Sequence, residues 1–186
     1  LEVVRGHKVT FISGHTHINN VLQYESNISE HNVAAICGSW WDTDHCTDGT
    51  PSGYKVFTKQ DGKLSWYYKS VGHDKNHQVE VYKPGQTSMH PNSVVLNVWD
   101  WDPLWKVEWA EDGVSAGSMQ QVNVVSSVFA SEIKAVYDSY GKEIPRWKSP
   151  KSSPHNFMAV PSPSARTVTI SIETRFGQKW TTTIEL

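Results

Sequence analysis

The stretch GYKVFTKQDGKLSWYYKS, residues 53–70, is the part of the sequence that indicates the fold class most directly. Its two arms are rich in aromatic and β-branched residues, which favour strands because they pack well on a pleated surface. Between the arms lies Asp61-Gly62, one of the strongest two-residue signals for a tight turn. The stretch therefore predicts an antiparallel β-hairpin.

The segments before and after this hairpin also have the pattern of short strands. Alternating or β-branched segments predict strands within 8–13, 78–82, 93–102, 105–113, 114–125 and 165–186. The small-residue apolar run at 32–41 predicts a buried strand. Within 165–186, a turn at Phe176-Gly177 separates two predicted strands.

One segment, 126–141, has the spacing of an amphipathic helix. A serine can cap its start and Gly141 can end it, and its apolar face would consist of Phe129, Ile133, Val136, Tyr137 and Tyr140. Residues 144–156 predict a proline- and serine-rich loop. Short strands, regular turns and a single helix together predict an antiparallel β-sandwich from about residue 75 onward.

Composition excludes several functional classes. The chain has 17 Lys+Arg against 19 Asp+Glu, so it lacks the basic excess expected of a nucleic-acid partner. No segment approaches the roughly 20 apolar residues of a membrane span. Two cysteines, Cys37 and Cys46, are too few for a disulfide framework. The chain starts without methionine, and we interpret it as a piece of a longer protein.

The stretch FISGHTHINN, residues 11–20, contains two histidines just beyond the first predicted strand. Both His15 and His17 can point into one space at the sheet edge, and Gly14 would let the backbone bend there. Neutral imidazole is a common ligand for zinc, iron and manganese. The spacing alone is more typical of two polar loop histidines.

The residues that follow add weight to the metal interpretation. GHTH at 14–17 resembles the last metal motif of the calcineurin-like metallophosphoesterases, which is Gly-His-x-His at the end of a buried strand. AAICGSWW, CTDGTPSGYKVF and GKLSWYYKSVG are similar to the end of the catalytic domain in a bacterial, Bacteroidetes-type subgroup. NVWDWDPLWKVEWAEDG and TRFGQKWTTTI resemble the C-terminal β-domain of that subgroup.

The resemblance implies both an architecture and a chemistry. Residues 1–73 would be the end of the catalytic sandwich and residues 74–186 an accessory β-sandwich with one short helix. The parent protein would hydrolyse phosphate mono- or diesters with two divalent ions of manganese, iron or zinc, one bound by His15 and the other by His17. The subgroup implies a location in the bacterial cell envelope or periplasm.

The family's other metal motifs do not occur in this sequence. Asp-x-His, Gly-Asp-x-x-Asp and Gly-Asn-His are all absent from the chain, and two ligands cannot organise two metals. We therefore expect the isolated chain to be inactive and to bind no metal tightly. Strand edges left unpaired by the missing half would favour homo-oligomers.

Two further sets of residues are candidates for ligand contact. The loop WWDTDHCTDGTP, residues 40–51, contains several carboxylates beside a histidine and a cysteine, which suits either a metal site or a polar rim. By resemblance it lies near the catalytic opening, where Asp48, Thr50 and Tyr54 would be close to substrate.

The tryptophans support an alternative function. Trp99 and Trp101 are predicted on one face of a strand, where exposed indoles could stack on sugar rings. The chain would then be a non-catalytic module that binds glycan or a cell-envelope partner. A core role for the same indoles is the simpler explanation of the pattern, because Asp100 and Asp102 alternate with them, as expected for one buried and one solvated face.

Overall fold

A computed structural model describes residues 2–186 of the protein. One α-helix, α1 (Ser127–Tyr140), and two 3-10 turns, Glu2–Val4 and Arg146–Lys148, accompany the strands. The strands are β1 (Val9–Ser13), β2 (Asn20–Glu25), β3 (Ile28–Asn32), β4 (Gly53–Gln60), β5 (Lys63–Ser70), β6 (Glu80–Tyr82), β7 (Val94–Asn97), β8 (Lys106–Glu111), β9 (Val114–Ser118), β10 (Gln120–Val125), β11 (Ser152–Ala159), β12 (Thr167–Glu173) and β13 (Lys179–Glu185).

The strands form four sheets, which confirms the predicted mainly β fold. Two four-stranded antiparallel sheets, in the orders β10-β11-β7-β6 and β13-β12-β8-β9, make up the second half of the chain. The first half has a sheet in the order β1-β3-β2, in which β1 and β3 are parallel, and the hairpin β4-β5. No helix in residues 2–186 is long and apolar enough to cross a membrane.

The two four-stranded sheets share one hydrophobic core. Its buried side chains come from both sheets and include Val94 and Leu96 on β7, Phe157 on β11, Val107 on β8 and Ile170 on β12. Burying a side chain of this size stabilises a fold by about 1.5–3 kcal/mol. The alternating burial of β12 matches the period of two in its sequence, as expected for a sheet with one face in the core.

The predicted hairpin and helix are both confirmed. Asp61 and Gly62 have φ of 47° and 73°, the left-handed pair that a two-residue type I′ turn requires. The helix α1 begins after Ser126, whose hydroxyl accepts a hydrogen bond from the Phe129 amide at 3.2 Å. It ends at Gly141, which has the left-handed φ of 60°.

Two predictions of local structure were wrong. Residues 32–41 do not form a strand, because β3 ends at Asn32 and the chain then turns, with φ of 53° at Gly38 and 54° at Trp40. The predicted loop at 144–156 instead gives rise to β11, a central strand that contains Pro154. The register shifts at this proline, where Pro154 and His155 of β11 lie opposite Asn123 alone on β10, so β11 itself is bulged and this accommodates the missing N–H.

A buried ion pair connects the hairpin to the turn after β7. The Lys55 Nζ lies 2.8 Å from Asp100 Oδ1, and both side chains are fully buried. Burial raises the pKa of Asp100, and the charge of Lys55 opposes this shift. This contact crosses the predicted boundary between residues 73 and 74; that division itself stays a prediction.

His31 lies beside this ion pair, also fully buried. Its Nδ1 is 3.2 Å from the Lys55 Nζ, so the ring nitrogen accepts from the ammonium group. Burial lowers the pKa of His31 to about 3, and the charges of Lys55 and Arg175 add to the shift. The folded protein therefore holds this ring neutral.

We predict that His31 contributes to acid destabilisation. Between its folded pKa of about 3 and the ordinary value of 6.5, the unfolded chain binds a proton at this ring that the folded chain lacks. The free energy of unfolding therefore falls as the pH falls through this window, by at most about 1.4 kcal/mol per pH unit. Urea unfolding measured between about pH 3 and pH 6.5 should show that the free energy of unfolding depends less on pH in His31→Gln than in the wild type.

The exposed His7 provides the control. His7→Gln removes an exposed imidazole and should keep the wild-type slope. If His31→Gln kept the wild-type dependence of unfolding free energy on pH, His31 would bind a proton equally well in the folded and unfolded chains. That result would contradict a ring held neutral by the fold.

Candidate functional site

The histidine pair lies in the loop that joins β1 to β2. His15 is exposed, whereas His17 is 9 % exposed. Their φ angles are 77° and 52°, in the left-handed region that non-glycine residues rarely adopt. The expectation that Gly14 provides the bend was wrong, because Gly14 is not left-handed and the two histidines themselves turn the chain.

The ring of His17 is fixed on two sides. Its Nδ1 lies 2.6 Å from the Gly38 carbonyl oxygen, and a carbonyl can only accept, so Nδ1 carries a proton. In the neutral ring the lone pair is then on Nε2. The Trp40 ring stacks on the imidazole at a centroid distance of 3.8 Å and an angle of 9°. A histidine whose second nitrogen donates to a carbonyl is the usual arrangement of a metal ligand.

Backbone strain is concentrated in the two loops that meet here. Six non-glycine residues have positive φ among residues 2–186, and four of them are His15, His17, Trp40 and Trp41. The other two, Asp61 and Asp112, belong to hairpin turns, where this conformation is ordinary. Strained backbone persists where the surroundings over-determine it, and such positions cluster at functional sites.

The donor set at this place is incomplete for a metal centre. Across residues 2–186, no group of three or more His, Cys, Asp or Glu side chains is arranged to hold a metal ion. Two imidazoles suit zinc, iron or manganese by their chemistry, but a closed site needs about four ligands. His15 and His17 therefore fit part of a metal site and not a whole one.

Asp48 is the centre of a buried hydrogen-bond network next to this loop. Its fully buried carboxylate accepts from the Asn19 amide at 2.8 Å, the Thr50 amide at 3.0 Å and the Thr50 hydroxyl at 3.1 Å. The His155 Nε2 is 3.1 Å away on β11, and His155 Nδ1 is 2.7 Å from Asn97 Oδ1 on β7. We call these five residues the Asp48 network.

Both nitrogens of His155 face acceptor oxygens. The His155 ring thus links the Asp48 carboxylate on its own turn to the Asn97 side chain on β7. Thr47, the neighbour of Asp48, donates its amide and its hydroxyl to the His17 carbonyl at 3.3 and 3.2 Å. The network thus ties the histidine loop to the strands of the second half.

The predicted substrate-proximal residues lie in different surroundings. Asp48 and Thr50 are fully buried and engaged with each other, whereas Tyr54 on β4 is exposed. His155 was missed because the sequence pattern placed it in a loop, and Asn19 was missed because a lone asparagine carries no signal of its own. Their proximity to Asp48 arises only from tertiary packing.

The side chains of the 40–51 loop have separate partners. Asp42 pairs with Lys148 at 2.6 Å, and the His45 Nδ1 lies 2.9 Å from both carboxylate oxygens of Glu132. Cys46 is fully buried, and burial raises the pKa of its thiol to about 12, so this thiol stays protonated.

Trp99 and Trp101 do not share a strand face, so that prediction was wrong. The strand β7 ends at Asn97, and both tryptophans lie in the turn that follows. Trp99 is 2 % exposed, which leaves no open ring face for a sugar, and Trp101 is half-buried against Phe157. The exposed tryptophans are Trp41, at 81 %, and Trp147.

Comparison with known proteins gave one match. The model of the family described as the C terminal of calcineurin-like phosphoesterase matches residues 30–180. The matched range includes Asp48 and His155 and begins after the histidine pair. Searches of curated proteins and of solved structures returned no match.

We predict that Asp48→Asn destabilises the fold by about 3 kcal/mol in urea unfolding. The carboxylate accepts from three donors on Asn19 and Thr50, and an asparagine amide would turn an NH2 group toward one of them. The exposed Asp44, four residues earlier, gives the matched control. Asp44→Asn should change stability by less than about 0.5 kcal/mol. Equal effects of the two substitutions would contradict the network.

Proposed function

The chain belongs to this family, the C-terminal domain of calcineurin-like phosphoesterases, and from that premise we propose that it is the C-terminal portion of a metal-dependent phosphoesterase. The proposed reaction is hydrolysis of a phosphate mono- or diester at a two-metal site. His15 and His17 would each contribute one ligand, to different metals, and the remaining ligands would come from outside this chain.

The arrangement of His17 is the observation that carries this proposal. Its Nδ1–H donates to the Gly38 carbonyl, and its ring is stacked on Trp40. Both contacts hold the imidazole in one orientation with the Nε2 lone pair left for a ligand. No hydrogen bond to this Nε2 occurs among residues 2–186. This is the arrangement by which a metal-ligating histidine is usually oriented.

His15 has a complementary character. It is exposed and lies two residues from His17, on backbone that is strained in the same sense. Its side chain can turn toward a metal without losing a buried contact. One rigid and one adjustable ligand on the same short loop would suit two ions held side by side.

Bound divalent ions would neutralise phosphate oxygens and supply a hydroxide nucleophile near neutral pH. The contribution of this chain is positional: Gly38 holds a proton on Nδ1, Trp40 fixes the plane of the ring, and the Asp48 network holds the loop. Two ligands are too few for two ions, so the chain alone should not turn over substrate.

The tautomer of His17 is testable on the isolated chain. We predict that long-range 15N–1H NMR spectra show the neutral His17 ring with its proton on Nδ1, because the Gly38 carbonyl accepts there. Addition of Mn2+ should broaden the His15 and His17 signals without saturating at a stoichiometric amount of metal. The exposed His7 should show the mixed tautomers of a solvated ring. A proton on Nε2 of His17 would contradict the proposed ligand geometry.

The catalytic role needs the longer protein that contains this chain. With Mn2+ and an aryl phosphate, His17→Ala should reduce kcat by at least about 100-fold, because a metal ligand is lost. His7→Ala is the control and should leave the rate unchanged. Equal rates for wild type and His17→Ala, in protein of equal stability, would overturn the proposal.

A further inference from the structure

A cavity lies at the other end of β1 from the histidine pair. It has a volume of about 670 Å3, within the range of small-molecule sites. Its lining includes Lys8, Val9 and Thr10 at the start of β1, whereas His15 and His17 follow the end of this strand. The strand between them spans about 13 Å. The cavity is therefore distinct from the proposed metal site.

Three parts of the fold meet around this cavity. The first sheet contributes Gln23 on β2 and Asn27 in the turn between β2 and β3, and the hairpin contributes Asp61 and Lys63. The turn between β12 and β13 contributes Phe176. A cleft where separate elements converge is a common place for a ligand.

The charge of the lining differs from that of the chain. The chain as a whole has a net charge of -2, yet Lys8 and Lys63 bring two ammonium groups to a cavity whose one carboxylate is Asp61. Both lysines are exposed, and neither forms an ion pair within residues 2–186. Uncommitted ammonium groups bind phosphate or carboxylate.

The third cation of the lining is already engaged. The Arg175 guanidinium donates to Asp102 at 2.6 Å and lies over the Trp66 ring at 5.2 Å. It therefore forms part of the wall and holds the turn in place, leaving Lys8 and Lys63 as the groups for an anion.

Two amide side chains in the lining of this cavity, those of Gln23 and Asn27, have their NH2 groups engaged by backbone carbonyls. The Asn27 Nδ2 donates to the Arg5 and His7 carbonyls at 2.8 and 2.6 Å, and the Gln23 Nε2 donates to the Ile28 carbonyl at 3.1 Å. Because the NH2 groups are engaged, the carbonyl oxygens of both side chains are the atoms left free. Preoriented acceptors of this kind suit hydroxyl groups and would repel a bare anion.

The remaining wall is aromatic. Phe176 is 37 % exposed and meets the buried Trp66 edge to face at 4.8 Å, which fixes its ring. An exposed aromatic ring provides an apolar surface on which the C–H face of a sugar can pack. Inorganic anions would use the lysines and gain nothing from Phe176 or from the amide oxygens.

We propose that this cavity binds an anionic sugar, meaning a hydroxyl-rich ring that carries one phosphate or carboxylate group. Lys8 and Lys63 hold the anionic group, the oxygens of Gln23 and Asn27 accept from ring hydroxyls, and Phe176 packs against the ring. The site does not depend on the metal histidines.

The test is a titration of the isolated chain by 1H–15N NMR with four probes, namely glucose 6-phosphate, glucuronate, glucose and inorganic phosphate. We expect saturable shifts at the Thr10, Asn27 and Ser65 amides with at least one charged sugar, which also identifies the anionic group. Compared with the charged sugar, glucose and inorganic phosphate should each bind at least about ten-fold more weakly, because each engages only part of the site.

Variants separate this site from non-specific attraction. The double substitution Lys8→Gln and Lys63→Gln should weaken binding of the charged sugar by about ten-fold or more, and added salt should do the same. Lys59→Gln and Lys106→Gln together are the matched control, since both lysines are exposed and lie outside the lining. His17→Ala should bind the sugar as wild type does.

Several results would overturn the proposal. They are the absence of saturable shifts with both charged sugars, equal affinity for inorganic phosphate and the charged sugars, and shifts that map to the His15–His17 loop. Loss of binding in the Lys59 and Lys106 control would likewise show that general surface charge is responsible.

Discussion

The buried carboxylate of Asp48 is the interaction on which the arrangement of both halves depends. It accepts from Asn19 and Thr50 while it faces His155, so one side chain joins the histidine loop, its own turn and the central strand β11. Removing a carboxylate from water is costly unless hydrogen bonds and an opposite charge replace its hydration. The Asp48 carboxylate has three such hydrogen bonds, from Asn19 and Thr50, and so its buried position depends on these partners.

The residue after Asp48, Gly49, shows how closely the Asp48 turn approaches the start of α1. Gly49 has a φ of 80°, and a Cβ there would lie 2.3 Å from the Ser126 Cβ, at the N-cap of α1. Only glycine permits both the conformation and the contact. The histidine loop, the Asp48 turn and the helix start are therefore packed as one block. The Lys55–Asp100 pair is a second buried connection between the hairpin and the turn after β7. Relative motion between the two predicted domains would have to separate these buried charges from their partners.

The sequence predicted correctly those elements whose structure is determined by residues close together in the chain. The turn at Asp61-Gly62 and the capped helix between Ser126 and Gly141 depend on nearby residues, and both are confirmed. The segment 32–41 failed because its apolar residues are buried in a strained turn, where Trp40 stacks on His17. The loop prediction for residues 144–156 failed because a proline normally argues against a central strand, and a bulge in β11 itself accommodates Pro154.

The candidate site likewise has features that the sequence predicts and features that depend on tertiary packing. The spacing of His15 and His17 is visible in the sequence, but their left-handed backbone and the engagement of the His17 Nδ1 are not. His155 is 138 positions from His17 in sequence, a separation over which no local pattern predicts contact. Only the folded sheet brings this residue against Asp48 and, through Thr47, next to the histidine loop.

The strain in the histidine loop has a thermodynamic consequence. Left-handed conformations at non-glycine residues cost about 1–2 kcal/mol each, and the structure keeps them because the Asp48 network and the Trp40 stack hold the loop. A metal-ligating side chain that is fixed in this way, such as His17, loses little conformational entropy when a metal binds. His17 is thus prepared by folding alone, while the exposed His15 keeps the freedom to adjust. The histidine loop precedes the C-terminal sheets in the sequence, yet its geometry depends on the stability of those sheets.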